Sequence, residues 1–358
     1  MPSKPLPQQQ AQAAGLVYAD SSQPGYTRKG CGRGFKFLDQ QRQLIQGEER
    51  KRLVALVIPP AWKDVWINPD PDGHLQATGY DARGRKQYIY HPEWLEQSKR
   101  NNFDRMSAFG SVLPKLRQQA RRDMHAGTGE QKAVVAMAVL MLDSGLLRIG
   151  NTAYQARNGT YGLTTLQVSH ADVSDDEMVL RFVGKSGVER VVRIDDEELI
   201  AHVLQCHELG GQSLLQYEDE EGVCCELSSA DVNEYLRDVS GSDITAKDFR
   251  TWGGTVAAVE FALEHAASAR ASEVASEDQD KDLDPNQDQG QDQSISEKIL
   301  VEYVAERLGN TVAVAREHYI HPDVLSAVAQ PGELSVPSME TNEDALTSAE
   351  LLTLELLR

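Results

Sequence analysis

The chain is 358 residues long, with 40% apolar and 25% charged residues, enough for a sizeable core and for two domains. No apolar run is long enough for a transmembrane helix, and the start, Met1-Pro2-Ser3-Lys4-Pro5, lacks the apolar centre of a signal peptide. A cytoplasmic protein without a membrane partner is therefore expected. The net charge of −19 by itself argues against a polyanionic partner, but its distribution argues for one. Residues 1–125 hold 20 Lys and Arg against 12 Asp and Glu, a balance of +8, while the remainder holds 16 against 43, or −27. A basic first third beside an acidic remainder fits either a polyanion bound by the first third or a solvated mixed-charge surface. The four cysteines, Cys31, Cys206, Cys224 and Cys225, form no metal pattern, and the adjacent pair reads as reduced.

Residues 1–22 are Gln- and Ala-rich and read as disordered, followed by a turn at Ser21-Ser22-Gln23-Pro24-Gly25. Tyr26 to Phe37 interleaves glycines with cations and aromatics. That suits a loop pressed against phosphates, where backbone N–H groups approach closely, or else a glycine-rich hairpin. Glu49 to Val57 reads as a helix broken by Pro59-Pro60. Val65-Trp66-Ile67, Leu75 to Tyr80 and Gln87 to His91 read as strands. The last places Gln87, Ile89 and His91 on one face and Tyr88 and Tyr90 on the other. The charged turn Asp81 to Lys86 precedes it. A basic turn beside two same-face tyrosines suits a surface that grips phosphate and reads base edges, or else the tyrosines pack into a sheet core. Residues 23–103 thus read as a small β-rich domain.

From Phe103 the pattern becomes helical. Met106 to Arg122 is amphipathic and basic. Thr128-Gly129-Glu130-Gln131 resembles a capping box ahead of an apolar helix over Ala133 to Leu142. Arg148 lies between apolar residues just before Gly150, so it is either paired to a buried carboxylate or aimed at a ligand. Leu163 to Val168, Met178 to Val183 and Val188 to Ile194 read as strands, the last two joined by a hairpin tip, Gly184-Lys185-Ser186-Gly187. Lys185 there is either merely exposed or delivered on a flap to donate a proton to a departing oxygen. Asp196 to Cys206 and Ser229 to Val239 read as helices.

Thr245 to Asp248 resembles another helix start. Lys247 and Arg250 in its first turns oppose the helix dipole, a conflict that a bound phosphate would relieve. Residues 266–297 are Ser-, Gln- and Asp-rich and read as a disordered acidic insert. Leu308-Gly309-Asn310-Thr311 then ends one helix and opens a short one that carries Tyr319, with Pro322 closing it. Residues 326–358 form an acidic tail whose end, Asn342 to Arg358, has an amphipathic pattern (Leu346, Leu351, Leu352, Leu354, Leu356) suited to docking as a helix. A tyrosine phenol is protonated at neutral pH and needs cationic neighbours to act as a nucleophile. Arg148, Lys185 and Arg250 upstream, with the Asn310 amide, are suited to attack on a phosphodiester.

These residues carry a family resemblance. Over roughly 16–325 the chain resembles the bacterial, poxvirus-like type IB DNA topoisomerases of the tyrosine recombinase/topoisomerase IB superfamily. The signatures are Gly-His-Leu-Gln-Ala-Thr-Gly-Tyr-Asp-Ala-Arg-Gly-Arg-Lys-Gln-Tyr-Ile-Tyr-His-Pro (73–92), Leu-Leu-Arg-Ile-Gly-Asn (146–151), Tyr-Gly-Leu-Thr-Thr-Leu (161–166), Phe-Val-Gly-Lys-Ser-Gly (182–187), Lys-Asp-Phe-Arg-Thr-Trp (247–252), and Leu-Gly-Asn-Thr with Tyr-Ile-His-Pro.

The resemblance implies an α+β fold: a bilobed clamp with a small β-rich N-terminal domain and a mostly helical catalytic domain over 104–325, whose β-hairpin carries the catalytic lysine. It further implies Tyr319 as nucleophile forming a 3′-phosphotyrosyl link, Arg148 and Arg250 as oxygen clamps, Lys185 as general acid and Asn310 as a donor to the same phosphate. Arg85, Lys86, Gln87, Tyr88, Tyr90 and Lys247 become contacts to double-stranded DNA. Supercoils of both signs are relaxed without ATP, metal or other cofactor, by a monomer with no obligate protein partner, associated with the nucleoid. Viral and eukaryotic relatives carry histidine at the Asn310 slot. Asparagine keeps a donor but carries no charge, so it binds oxygen and transfers no proton.

Two other readings share parts of this chemistry. A tyrosine recombinase uses the same Arg, Lys, Arg and Tyr set, but usually with His-x-x-Arg where this chain has Lys247-x-x-Arg250. A non-catalytic DNA-binding protein on the same fold is the other, although all the reacting groups are present.

Overall fold

The computed structural model describes residues 6–125, 127, 129–174, 176–208, 210–277, 295–329, 334 and 344–358. The fold is α+β, and the chain divides into two compact units, Ser3–Asn102 and Phe103–Arg358.

The first unit contains α1 (Pro7–Ala13), β1 (Tyr26–Cys31), β2 (Gly34–Leu38), α2 (Gly47–Ala55), β3 (Lys63–Ile67), β4 (Leu75–Tyr80), β5 (Lys86–Tyr90) and most of α3 (Pro92–Asp104). Its five strands form one antiparallel sheet in the order β2-β1-β3-β4-β5. One face buries Phe37, Val65, Ile67 and Ala77 against Leu53 of α2. Tyr26 to Phe37 forms a glycine-rich hairpin, β1 paired with β2.

The N-terminal expectation needs correcting. Residues 1–5 lie outside the described residues, but 6–22 are folded. Pro7 sits at the first helical position, where its missing N–H costs nothing, and the Gln/Ala run that lowers hydrophobicity also favours helix. Ala11 and Leu16 are buried. Val17 bonds the sheet loop through its N–H to Asp72 O (2.9 Å) and its carbonyl to His74 N (2.9 Å).

The second unit continues with α4 (Met106–Met124), α5 (Gln131–Gly145), α6 (Thr152–Asn158), β6 (Ala171–Val173), β7 (Met178–Val183), β8 (Glu189–Ile194), α7 (Glu197–His207), β9 (Gln216–Glu218), β10 (Cys224–Glu226), α8 (Ser229–Ser240) and α9 (Ala246–Glu277). It closes with α10 (Glu297–Leu308), α11 (Val312–His318), α12 (Pro322–Val328) and α13 (Ser348–Leu356). α5 is apolar on every side because it is the central helix: all residues from Ala133 to Leu142 are buried. β6, β7 and β8 form a separate antiparallel sheet.

Several boundaries differ from the sequence reading. Thr128, the expected cap of α5, lies outside the described residues, and the helix starts after Glu130 with no side-chain cap. Leu163 to Val168 is not a strand. The Thr165 hydroxyl accepts from Gly162 N and donates to Gly162 O, both at 3.0 Å, which closes a 3-10 turn instead. Disorder from 266 is also corrected. Alanine-rich α9 continues to Glu277, and Ile295 is buried, leaving 278–294 outside the described residues. Pro322 opens α12 rather than closing α11, so the 325 boundary falls inside a helix. The helix suggested by the amphipathic end of the tail does form and pack. α13 buries Ala349, Leu352 and Thr353, and its Glu350 carboxylate binds Arg117 (2.7 Å) and accepts from Trp252 Nε1 (3.2 Å).

Candidate active site

Two glycines let α9 pass close to its neighbours. A Cβ on Gly253 would lie 2.2 Å from Leu146 Cδ2, and one on Gly254 would lie 2.7 Å from the Tyr319 carbonyl. Thr255 follows, fully buried. Its hydroxyl donates to Tyr319 O (3.1 Å) and accepts from His321 N (3.0 Å). The helix that carries Arg250 thereby holds the backbone on both sides of Tyr319. Thr245 starts the helix as expected, with its N–H and hydroxyl both 2.8 Å from Asp248 Oδ2.

Arg148 follows the left-handed Leu146 (φ 46°) that ends α5. The next stretch is fixed by two of the signature segments packing together. Leu163 N donates to Arg148 O and Thr164 N to Ile149 O, both at 2.8 Å. A Cβ on Gly162 would lie 2.6 Å from Gly150 N, so the two backbones meet only because both positions are glycine.

Tyr319 is at the end of α11, whose Thr311 side chain caps its start. Gly309, in the left-handed conformation (φ 59°), ends α10 just before Asn310. These turns bring Arg148, Arg250, Asn310 and Tyr319 together. The Arg250 guanidinium lies 5.2 Å from the centroid of the Tyr319 ring. It donates to Leu308 O (2.9 Å) and to Leu146 O. Arg148 donates to the Asn310 side-chain oxygen and to Gly309 O (3.3 Å). Arg190 of β8, buried on the same side, donates to Glu306 O (3.1 Å) and Arg307 O (3.0 Å).

The electrostatics favour an anion. Among the described residues, none of Arg148, Arg190 and Arg250 has a carboxylate within ion-pair distance. Burial pulls all three guanidinium groups below the ordinary arginine range, and the charge of Arg148 adds to the effect on the other two. Burial alone would push the Tyr319 phenol up. The charge of Arg250, with those of Arg148 and Lys247, outweighs it, and the net direction is down. At this site two buried donors, Arg250 Nε and Asn310 Nδ2, have no partner among the described residues. An unmatched buried donor costs about 1–3 kcal/mol. Because Asn310 gives its oxygen to Arg148, its NH₂ is the group left to donate. Both free donors are thus groups that an oxyanion could satisfy.

Lys185 is exposed on the 3-10 turn between β7 and β8, and forms no hydrogen bond or ion pair among the described residues. Lys247 is exposed near the start of α9, with its charge reaching Tyr319. In the first unit, Arg85 pairs with Asp81 (2.7 Å), and Gln87 donates to the same carboxylate (3.0 Å). Lys86 donates to Ser21 Oγ (3.1 Å) and lies over the Tyr88 ring. Tyr88 and Tyr90 share a face and stack at 5.9 Å, as the alternation implied. Tyr18 was missed there. It stacks on His74, which meets Trp94 edge-on, and Trp94 stacks on Tyr90. Gly254, Thr255 and Arg190 were also missed. The signals were a glycine pair inside a helical pattern and, for Arg190, the inward phase it shares with Val192 and Ile194. Among the described residues, no cluster of His, Cys, Asp and Glu is placed to hold a metal ion, and no helix is long and apolar enough to cross a membrane.

Residues 88–330 match the family described as eukaryotic DNA topoisomerase I, catalytic core, and 34–81 match the bacterial DNA topoisomerase IB N-terminal domain. The first match covers more than half of the chain and contains Arg148, Lys185, Arg250, Asn310 and Tyr319. The chain belongs to the topoisomerase I catalytic-core family. Within it, the chain is an enzyme of the poxvirus-like type IB DNA topoisomerases, with the N-terminal domain of the bacterial branch. It is 29% identical over 242 residues to DNA topoisomerase 1B of Acanthamoeba polyphaga mimivirus, covering 66% of this chain and 72% of that one. To DNA topoisomerase 1B of Vaccinia virus (strain Copenhagen) it is 28% identical over 180 residues, covering 49% and 53%. To DNA topoisomerase 1 beta of Arabidopsis thaliana it is 22% identical over 161 residues, covering 45% and 17%. The aligned part is thus about half of the vaccinia enzyme's length.

Proposed function

We propose that this enzyme relaxes positive and negative supercoils in double-stranded DNA by breaking and rejoining one strand. The Tyr319 phenol, giving its proton to solvent water, attacks a backbone phosphorus. The bond to the 5′-oxygen breaks, leaving a 3′-phosphotyrosyl ester. Arg148 and Arg250 hold the non-bridging oxygens as charge grows on them. Asn310 donates its NH₂ to the same group. Lys185 gives its proton to the departing 5′-oxygen from its exposed place on the hairpin turn. The ester keeps the energy of the broken bond, so after the free strand swivels, its 5′-hydroxyl attacks back and reseals. Neither ATP nor a metal enters this sequence.

The observation that carries the reading is the phenol beside a buried guanidinium, with two unmatched donors and, among the described residues, no carboxylate neutralising the arginines. In this reading the two units close as a clamp on the duplex. Arg85, Lys86, Gln87, Tyr88 and Tyr90 contact DNA from the first, and Lys247 contacts it beside Tyr319. Arg85 and Gln87 would exchange part of their bonding to Asp81 for phosphate or base edges. The enzyme works as a monomer, without an obligate protein partner, in the cytoplasm at the nucleoid.

The test is incubation with supercoiled plasmid in EDTA without ATP. Relaxation together with a covalent protein–DNA adduct is expected. Failure of both under conditions where the protein binds the plasmid would refute the proposal.

A further inference from the structure

We propose that Arg190 is a positioning residue for Lys185, latching the hairpin that carries the lysine onto the end of α10 beside Asn310. The inference rests on Lys185 being the proton donor.

Arg190 faces inward on β8 while Glu189 and Val191 are exposed. A guanidinium in that phase is costly unless something needs it there. Both of its hydrogen bonds among the described residues go to backbone carbonyls, Glu306 and Arg307, in the last turn of α10. Glu306 O also accepts from Gly309 N (3.0 Å) at the helix cap, and both carbonyls lie at the negative end of the helix dipole. The neighbouring arginines differ. Arg193 pairs with Glu177 and Arg307 with Glu260.

Both ends of the side chain are fitted by glycine. A Cβ on Gly309 would lie 2.3 Å from Arg190 Nη1, so any larger residue before Asn310 would meet the guanidinium and displace one of the two. A Cβ on Gly184 would lie 3.2 Å from Arg190 Cγ. Gly184 immediately precedes Lys185, and its N–H donates to Val188 O (2.8 Å) to close the turn. One side chain therefore spans from the base of the Lys185 turn to the loop that presents Asn310. Asn310 is in turn bonded to Arg148. Among the described residues Lys185 forms no hydrogen bond or ion pair that would fix it, so the registration of its turn depends on the contacts at the turn's base.

A change of leaving group separates this role from a general stabilising one. Attack by Tyr319 breaks the P–O5′ bond, the electron pair goes to the 5′-oxygen, and that oxygen takes a proton from the Lys185 ammonium. If sulfur replaces the bridging 5′-oxygen, the leaving group is a thiolate, stable near neutral pH (thiol pKa about 8.5), and no proton is needed. A variant impaired only in proton delivery then recovers, whereas one with a damaged phosphate pocket does not.

The experiment measures single-turnover cleavage of duplexes carrying oxygen or sulfur at the scissile 5′ position, placed at a cleavage site mapped on plasmid DNA. The enzymes are the full chain, Lys185→Ala, Arg190→Ala and Arg190→Lys, with thermal melts of each. Arg190→Lys keeps the charge and the packing stem, and decides the matter if Arg190→Ala does not fold. On the oxygen duplex, Arg190 variants are expected to be slower by about 10-fold or more, within the range of a lost general acid. On the sulfur duplex they and Lys185→Ala are expected within about threefold of the parent. Arg190 variants equally slow on both duplexes, with Lys185→Ala rescued, would overturn the latch. So would a parental rate on the oxygen duplex. An unrescued Lys185→Ala would instead refute the proton-donor reading on which the latch depends.

Discussion

The hydroxyl of Thr255 donates to the backbone carbonyl of Tyr319 at 3.1 Å, and the same oxygen accepts from His321 N at 3.0 Å. Tyr319 is therefore located by its backbone, while its ring is left to meet Arg250. Side-chain changes at 319 and backbone changes beside it should consequently have different effects.

Tyr319→Phe removes the nucleophile but none of these backbone bonds. Relaxation and covalent adduct should both be lost. Affinity for duplex DNA should stay within about threefold, since phosphate contacts dominate binding. A filter-binding or fluorescence titration beside the plasmid assay checks this. Surviving relaxation would show that another residue attacks.

Gly254→Ala is expected to displace Tyr319 without touching any reacting group. Its new methyl would lie 2.7 Å from the Tyr319 carbonyl and 3.1 Å from its Cβ. Overpacking of this kind costs about 1–3 kcal/mol. Cleavage should fall by at least about 10-fold, since small misplacements of reacting groups are costly, while DNA affinity changes little. Parental cleavage rates in Gly254→Ala would mean that the close approach does not matter to the chemistry.

How much of this was legible beforehand follows from the kind of signal each residue leaves. Arg148, Asn310 and Tyr319 stand beside glycines and helix stops, and local spacing is enough to single them out. Arg250 showed through a conflict, a cation in the first turns of a helix. Thr255 left no such mark, because a buried threonine in a helix looks like any other until its distant acceptor is known. The α1 segment was misjudged for a related reason: its polar composition hides Ala11 and Leu16, which are buried. The helix α13 was legible from its leucine pattern, but the burial of Glu350 was not. Glu350 in particular reads as surface charge, yet it is buried because Arg117 and Trp252 wait for it.

Arg250→Met should move the pH dependence of cleavage. With Arg250 present, the Tyr319 phenol lies below its ordinary value near 10 despite burial. Removing the strongest opposing charge leaves burial, which favours the neutral phenol, so the pKa should rise. The alkaline-going limb of the rate profile should shift to higher pH, and the maximal rate should fall by about 10²-fold or more. An unchanged profile with a lower plateau would mean that Arg250 binds phosphate without influencing the phenol.

Glu350→Ala should destabilise the second unit although it lies beyond the part matching the topoisomerase core. The Arg117 guanidinium bridges Asp143 (2.7 Å) and Glu350 (2.7 Å) in a buried site. Losing one partner of a buried pair costs about 3–5 kcal/mol. Because Asp143 remains, the lower end, about 3 kcal/mol, is expected. Each kcal/mol corresponds to about 2–4 °C in Tm for a unit of this size. A melt within about 2 °C of the parent would show that α13 is only loosely attached.

Acidification should weaken the segment that follows Tyr319. His321 caps α12 by accepting from Asp323 N at its Nδ1 (3.2 Å), which requires a neutral ring. Burial lowers its pKa, against the opposing pull of Asp323 and Asp104. A histidine depressed in the folded state binds fewer protons there than when unfolded. Its contribution is therefore complete above about pH 6.5 and declines as pH falls from there through the folded-state value. His321→Asn keeps a capping oxygen that does not titrate. Its melting temperature should fall less than the parent's between about pH 7 and pH 5. Equal slopes would assign the acid sensitivity to other histidines, such as His202, whose pKa is also lowered by burial.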